Sequence, residues 1–108
     1  MLAKSNRIPK EDIAKTVKKK GSGDKFFTVK FSQNALGSAR FSFVVSSKIL
    51  KKATERNLLK RRAREIIRRN LENIKKGYDI VFIFSKEALE LSYKELEEKI
   101  LYACKKYL

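Results

Sequence analysis

Apolar residues recur at three- and four-residue steps through the middle of the chain, where they predict a long amphipathic helix over Lys51–Asn70. The spacing places these side chains on one side of the helix, and Gly77 is expected to end the helical segment. The predicted buried stripe is Leu59, Ala63, Ile66, Ile67, Leu71 and Ile74. Such a stripe is expected to cover one face of a sheet.

Two-residue alternation predicts two strands before this helix, Lys25–Ser32 and Arg40–Ser46. Turn residues in Gln33–Gly37 predict that the two strands pair as an antiparallel hairpin. The predicted core face of the first strand is Phe27, Val29 and Phe31. Its opposite face is Phe26, Thr28 and Lys30. After the helix, Tyr78–Phe84 is almost continuously apolar, as expected of an interior strand covered on both sides.

Shorter signals predict one helix near each end of the chain. Pro9 fits the first turn of an N-terminal helix, and Gly21 to Gly23 form a flexible break after it. Ser92 and Glu95 form a capping box before an apolar series, which predicts the final helix. The order helix, strands, long helix, strand, helix predicts an α+β fold, a small two-layer α/β sandwich. A chain of 108 residues suffices for one domain spanning residues 1–108.

Positive charge is concentrated in the first seventy residues. The net charge is +15, yet residues 71–108 carry seven basic and seven acidic side chains and are neutral as a group. Residues 51–70 alone carry nine Lys or Arg against two Glu. This asymmetry favours a dedicated surface for a polyanion over a uniformly charged exterior.

Polar side chains of the predicted helix form two rows opposite the apolar stripe. One row is Arg56, Lys60 and Arg64, and the second is Asn57, Arg61 and Arg68. Like charges at four-residue spacing cost an isolated helix about 0.2–0.5 kcal/mol per pair, so a polyanion would stabilise them. A membrane surface is disfavoured because the apolar stripe is needed to cover the sheet. RNA is the favoured polyanion, although a single basic helix can also enter the major groove of DNA.

Most catalytic and metal-binding chemistry is missing from the sequence. The chain has no His, Cys104 is its only Cys, and no Gly-rich loop carries a phosphate-binding lysine. These absences exclude most zinc sites, nucleophilic triads and P-loop chemistry, so the polypeptide alone is not expected to be an enzyme. Cys104 is expected to be buried and fits a reducing compartment. Without an apolar run of about 18 residues or a secretory signal, the chain is expected to be cytoplasmic.

Residues 53–65, ATERNLLKRRARE, resemble A-x-x-R-N-R-x-K-R-x-x-R-E, the signature of the protein subunit of bacterial ribonuclease P. The order of the other elements is similar over nearly the whole chain. The resemblance implies a small α/β sandwich in which the signature helix joins parallel strands by a left-handed crossover, against the general right-handed preference. It also implies a large catalytic RNA that uses magnesium ions, with no cofactor in the protein. The protein would assist maturation of the tRNA 5′ end by holding the 5′ leader of precursor tRNA in a cleft. Neither a membrane nor an obligate homo-oligomer is expected.

Position by position, the resemblance implies two sets of contact residues. Contact with the catalytic RNA is assigned to Lys48, Lys51, Lys52, Arg56, Asn57, Lys60, Arg61, Arg64 and Arg68. The leader cleft is assigned to Ile13, Val17, Phe26, Lys30 and Lys86. The chain departs from the family pattern at Leu58, where a basic residue is usual, and at Ile13 and Val17, where phenylalanines are usual. The alternatives are a ribosomal or ribosome-associated RNA-binding protein and a DNA-binding protein.

Overall fold

Three α-helices and four β-strands make up the computed structural model, which describes residues 3–19 and 21–108. The elements are α1 Lys10–Val17, β1 Ser22–Gly23, β2 Phe27–Gln33, β3 Arg40–Val45, α2 Ala53–Asn70, β4 Tyr78–Phe84 and α3 Tyr93–Tyr107. Short 3-10 turns cover Lys4–Asn6, Leu71–Asn73 and Lys86–Glu90. The predicted α+β fold is confirmed, and the predicted bounds of the interior strand are those of β4.

The strand order β1-β2-β4-β3 contradicts the predicted hairpin between the second and third strands. β4 lies between β2 and β3, antiparallel to β2 and parallel to β3. β4 takes the central position because it is apolar on both faces, and α2 is long enough to connect β3 to a parallel neighbour. The turn residues after β2 serve a different purpose, since Asn34 N donates to the Gly77 carbonyl at 2.8 Å and Gly77 N donates to the Ser38 carbonyl at 3.1 Å.

The edge of the sheet next to β2 differs from the prediction as well. Residues 21–23 were expected to form a flexible break, but Ser22 and Gly23 pair antiparallel with Val29 and Thr28 as β1. The backbone approaches closely here, because a Cβ placed on Gly23 would lie 2.2 Å from the Phe27 carbonyl oxygen. Glycine at this position therefore permits the pairing.

One face of the sheet is covered by α2 and α3. The main hydrophobic core lies between this face and the two helices. The predicted stripe of α2 is confirmed: Leu59, Ala63, Ile66 and Ile67 are buried. Leu71 is half-buried and Ile74 is buried, but both follow the end of α2. The α3 capping box is also confirmed, because Ser92 Oγ accepts from Glu95 N at 3.1 Å and Glu95 Oε1 accepts from Ser92 N at 2.9 Å.

Helix α1 covers part of the opposite face, where polar contacts hold it at both ends. At its N-terminal end, Arg40 Nη2 of β3 donates to Asp12 Oδ2 at 3.2 Å. At its C-terminal end, Lys30 Nζ of β2 donates to the Val17 carbonyl at 2.6 Å. Between them, the hydroxyls of Thr16 and Ser32 lie 3.0 Å apart. Because α1 has only eight residues, these contacts with the sheet, rather than its own helix propensity, determine its position.

A buried ion pair connects β3 and β4 beneath α1. Arg40 Nε and Nη2 donate to Asp79 Oδ1 and Oδ2 at 2.7 and 2.6 Å, which is a bidentate geometry. Asn34 Nδ2 adds a hydrogen bond to Asp79 Oδ1 at 2.8 Å. The hydrogen bond with Asp79 raises the pKa of Arg40. Burial alone would raise the pKa of Asp79, but the hydrogen bonds from Arg40 and Asn34 outweigh it and lower that pKa below its usual value.

We expect Arg40→Ala to lower the free energy of unfolding by about 3 kcal/mol, because it leaves the Asp79 carboxylate buried without its main partner. The matched control is Arg68→Ala, which removes an arginine whose side chain is 49% exposed in its ion pair with Glu65. This control should change stability by less than about 1 kcal/mol. Urea denaturation followed by circular dichroism measures the free energy of unfolding of both variants. An equal decrease in the two would show that the buried ion pair matters no more to stability than the exposed one.

The stability of the protein should also depend on the ionisation of Asp79. Its folded-state pKa is lowered, so the stabilisation is present above the unfolded value of about 3.9 and is lost as the pH falls through the folded pKa. The free energy of unfolding should therefore fall more steeply with acidification in the wild type than in Asp79→Asn. Urea denaturation at a series of pH values below about 5 tests this, and parallel curves for the two proteins would contradict it.

Candidate nucleic-acid interface

The outer surface of α2 presents the predicted second row, Asn57, Arg61 and Arg68, and all three residues are exposed. Arg68 donates to Glu65 through Nη2 at 2.6 Å and Nε at 3.1 Å. These hydrogen bonds lower the pKa of Glu65. Part of the charge of Arg68 is therefore satisfied within the helix, whereas none of the ion pairs among the described residues involves Arg61.

The predicted first row, Arg56, Lys60 and Arg64, lies closer to the sheet, and its members are half-buried. Arg56 Nη1 donates to the carbonyls of Leu50 and Lys51 at 2.7 and 2.9 Å. This residue therefore holds the loop between β3 and α2 against the start of the helix. Lys60 and Arg64 instead line a notch at the edge of β3.

The loop held by Arg56 carries the remaining lysines assigned to RNA. Lys48, Lys51 and Lys52 are all exposed, and Lys52 is the N-cap residue of α2. Leu50 is the buried anchor of the loop, with 7% of its surface exposed. The loop lysines and the outer row of α2 are all exposed, and this set is called here the α2 surface: Lys48, Lys51, Lys52, Asn57, Arg61 and Arg68.

The residues assigned to the leader cleft do not all lie together. Ile13 and Val17 are half-buried on α1, and the Lys30 amine donates a hydrogen bond to the Val17 carbonyl. Phe26 instead has the Lys99 amine of α3 at 4.6 Å from its ring centroid and the Lys25 amine at 5.1 Å. The structure therefore groups Lys30 with α1 and places the Phe26 ring beside a residue of α3. Lys86 is exposed in the 3-10 turn after β4.

Strand register brings together side chains that the sequence analysis did not group. On the α1 side of the sheet, three rows cross β2, β4 and β3: Ser32, Asp79 and Arg40; Lys30, Val81 and Ser42; Thr28, Ile83 and Val44. The first row contacts α1 and Val81 in the second is fully buried, whereas Thr28, Ile83 and Val44 are half-buried. We call this third row the open strip. The alternation of side chains along β2 places Thr28 on the same face as Lys30. Only the strand order observed in the structure places Ile83 and Val44 beside Thr28.

Neither a metal centre nor a reactive thiol is found at this surface. Within residues 3–19 and 21–108, no group of three or more His, Cys, Asp or Glu side chains could hold a metal ion. Cys104 is buried, as predicted, and burial raises the pKa of its thiol to about 12. None of the described helices is long and apolar enough to cross a bilayer. The groups that this surface presents are cations, an amide and partly exposed apolar side chains.

Comparison with known proteins gives a consistent match. The protein-family model for ribonuclease P matches residues 2–108. The ribonuclease P protein component of Alkaliphilus oremlandii is 38% identical over 103 residues, which cover 94% of this chain and 90% of that protein. The component of Thermotoga maritima is 43% identical over 82 residues, covering 72% of this chain and 69% of that protein. The solved structure of a T. maritima RNase P protein superposes with a TM-score of 0.80 at 35% identity, covering 92% of this chain and 94% of the other.

Proposed function

The chain belongs to the ribonuclease P protein family, and from this membership we propose which surfaces bind each RNA. The α2 surface, together with Arg56, Lys60 and Arg64, would bind the catalytic RNA. The cleft between α1 and the open strip would bind the 5′ leader of precursor tRNA. The protein is one component of a ribonucleoprotein endoribonuclease that matures tRNA 5′ ends, so its own residues need only bind and position RNA.

The observation that carries this proposal is that most cations of the α2 surface form no ion pair with a carboxylate among the described residues. Arg61 and the loop lysines form none of the ion pairs found among the described residues. Because Arg side chains bind phosphate in a bidentate manner and Lys side chains bind it as point charges, the surface suits a folded RNA backbone. RNA that neutralises it would release counterions, and that release would drive binding.

The leader assignment is supported by the burial and chemistry of the open strip. The open strip is half-buried and combines the apolar side chains of Val44 and Ile83 with the hydroxyl of Thr28, and Lys86 lies just past the C-terminal end of β4. Base stacking on an aromatic ring contributes about 1–3 kcal/mol per base. Ile13 and Val17 offer no ring, so the leader would be held mainly by apolar contact and charge.

The remaining assignments follow from the same division of labour. Magnesium would be held by the RNA, as the resemblance to the family implies. Residues 1–108 would act as one RNA-binding domain, with α1, the sheet and α2 contributing to adjacent surfaces. The left-handed crossover and a cytoplasmic location stay predictions. No observation favours the ribosomal or the DNA-binding alternative over the family match.

Reconstitution tests this function directly. Adding the purified chain to a bacterial ribonuclease P RNA at low magnesium should stimulate cleavage of precursor tRNA, and more strongly for a leader of several nucleotides than for a single nucleotide. Ile83→Asp should reduce the leader-dependent gain by placing a carboxylate in the open strip, while leaving affinity for the RNA subunit unchanged. Leu36→Asp is the matched control, because Leu36 is 59% exposed in the loop after β2.

Each reconstitution outcome bears on a separate part of the proposal. Absence of stimulation by the wild-type chain would reject the function. Stimulation that ignores leader length, or an equal effect of Ile83→Asp and Leu36→Asp, would reject the cleft assignment alone.

Salt dependence tests the α2 surface. Arg61→Gln should weaken binding to the RNA subunit and lower the slope of log affinity against log salt by about 1, as expected for the loss of one phosphate contact. Lys94→Gln removes one positive charge from an exposed position of α3 and should leave the slope unchanged. Filter binding across a salt series measures both, and identical slopes for the two variants would place the RNA elsewhere.

A further inference from the structure

A notch of about 200 Å³ lies where α2 passes the edge of β3. Its cationic lining comes from two distant parts of the chain: Arg7 precedes α1, and Lys60 and Arg64 lie one turn apart on α2. Its floor includes Phe41, Ser42 and Phe43 of β3. Arg7 was not among the residues that the sequence assigned to RNA.

The N-terminal segment is held against β3 by its backbone and by a neighbouring side chain. Ile8 N donates to the Phe41 carbonyl at 3.1 Å, and Arg7 forms a parallel bridge with Phe41. Asn6 Nδ2 donates to the Ala39 carbonyl at 2.9 Å. Ile8 is 7% exposed and anchors the segment from the other side. These contacts fix the backbone of Arg7 beside the notch, so binding an anion there would have to order only its side chain.

The three cations of the notch have no anionic partner among the residues that the structure describes. None of the ion pairs in the described part of the chain involves Arg7, Lys60 or Arg64, and no carboxylate lines the notch. Other arginines are satisfied internally: Arg40 pairs with Asp79, and Arg68 with Glu65. Bringing three like charges to one concave site costs energy unless an anion enters it.

We propose that Arg7, Lys60 and Arg64 form a binding site for one phosphodiester group of the catalytic RNA, so that the N-terminal segment is part of the RNA interface. This inference rests on the proposed function. Two of the three cations lie on α2, which favours the catalytic RNA over the leader as the source of the phosphate. Arginine on both walls can donate paired hydrogen bonds to phosphate oxygens, and Lys60 adds a point charge.

The test uses Arg7→Gln in the full chain, with affinity for ribonuclease P RNA measured across a salt series. Affinity should fall about tenfold, as for the loss of a hydrogen bond to a charged group, and the salt slope should fall by about 1. Lys4→Gln is the matched control, since Lys4 is exposed in the same segment but does not line the notch. Equal effects of the two variants would overturn the site.

A double-variant cycle separates a shared phosphate from a merely additive charge effect. If Arg7 and Arg64 bind the same phosphate, the loss from Arg7→Gln with Arg64→Gln should differ from the sum of the single losses, whereas additive losses would overturn a shared site. Circular dichroism and urea denaturation check that each variant folds. If the Arg7→Gln variant does not fold, Arg7→Lys replaces it in the test. Lysine keeps the positive charge but cannot make the paired hydrogen bonds of a guanidinium, so this variant should retain only part of the affinity.

Two further measurements distinguish the source of the phosphate and the failure of the underlying function. If Arg7→Gln weakens binding of leader-bearing precursor tRNA to the reconstituted enzyme but not binding of the RNA subunit, the phosphate belongs to the leader and the proposal is wrong. If the wild-type chain itself does not bind ribonuclease P RNA, the proposed function fails before the notch is tested.

Discussion

The bidentate contact between Arg40 and Asp79 is the interaction on which the geometry of the sheet and the cleft depends. It joins adjacent positions of β3 and β4, the two strands paired in parallel. Asn34 ties the preceding loop to the same carboxylate, and Asp12 ties α1 to the same guanidinium. A buried ion pair contributes little net stability compared with an apolar pair, but breaking it is costly. Its effect here is to join β3 to β4 in one register and, through Asp12, to hold α1 against β3.

Arginine residues of this chain perform different tasks despite their equal charge. Arg40 is internal, Arg56 bonds the main chain of the loop before α2, and Arg68 pairs with Glu65. Arg61 is exposed on α2, and Arg7 and Arg64 line the notch. The net charge of +15 therefore overstates the number of groups available to RNA. Charge counting singled out α2, and the hydrogen-bond partners show which of its side chains are already engaged within the protein.

Local patterns predicted what local physics determines. The stripe of α2, the capping box of α3 and the bounds of β4 depend on residues within a few positions of one another, and all three were predicted correctly. The strand order was not, because β2 and β3 both pair with a strand that comes later in the chain. The same non-local pairing hid the open strip and the partner of Asp79. Lys30 was assigned to the cleft, but only the structure shows its amine on the Val17 carbonyl. The sequence does not place Arg7 beside α2, because that position depends on pairing along the edge of β3.

The central position of β4 has a consequence for biosynthesis. Both neighbours of β4 precede it in the sequence and do not pair with each other, so the main sheet cannot close until residues 78–84 have left the ribosome. Until then a nascent chain holds an unpaired β3, a β2 that can pair only with the two residues of β1, and the most basic stretch of the protein. Folding that waits for such distant partners is slower than hairpin formation, and the emerging polypeptide is exposed to misassociation for correspondingly longer.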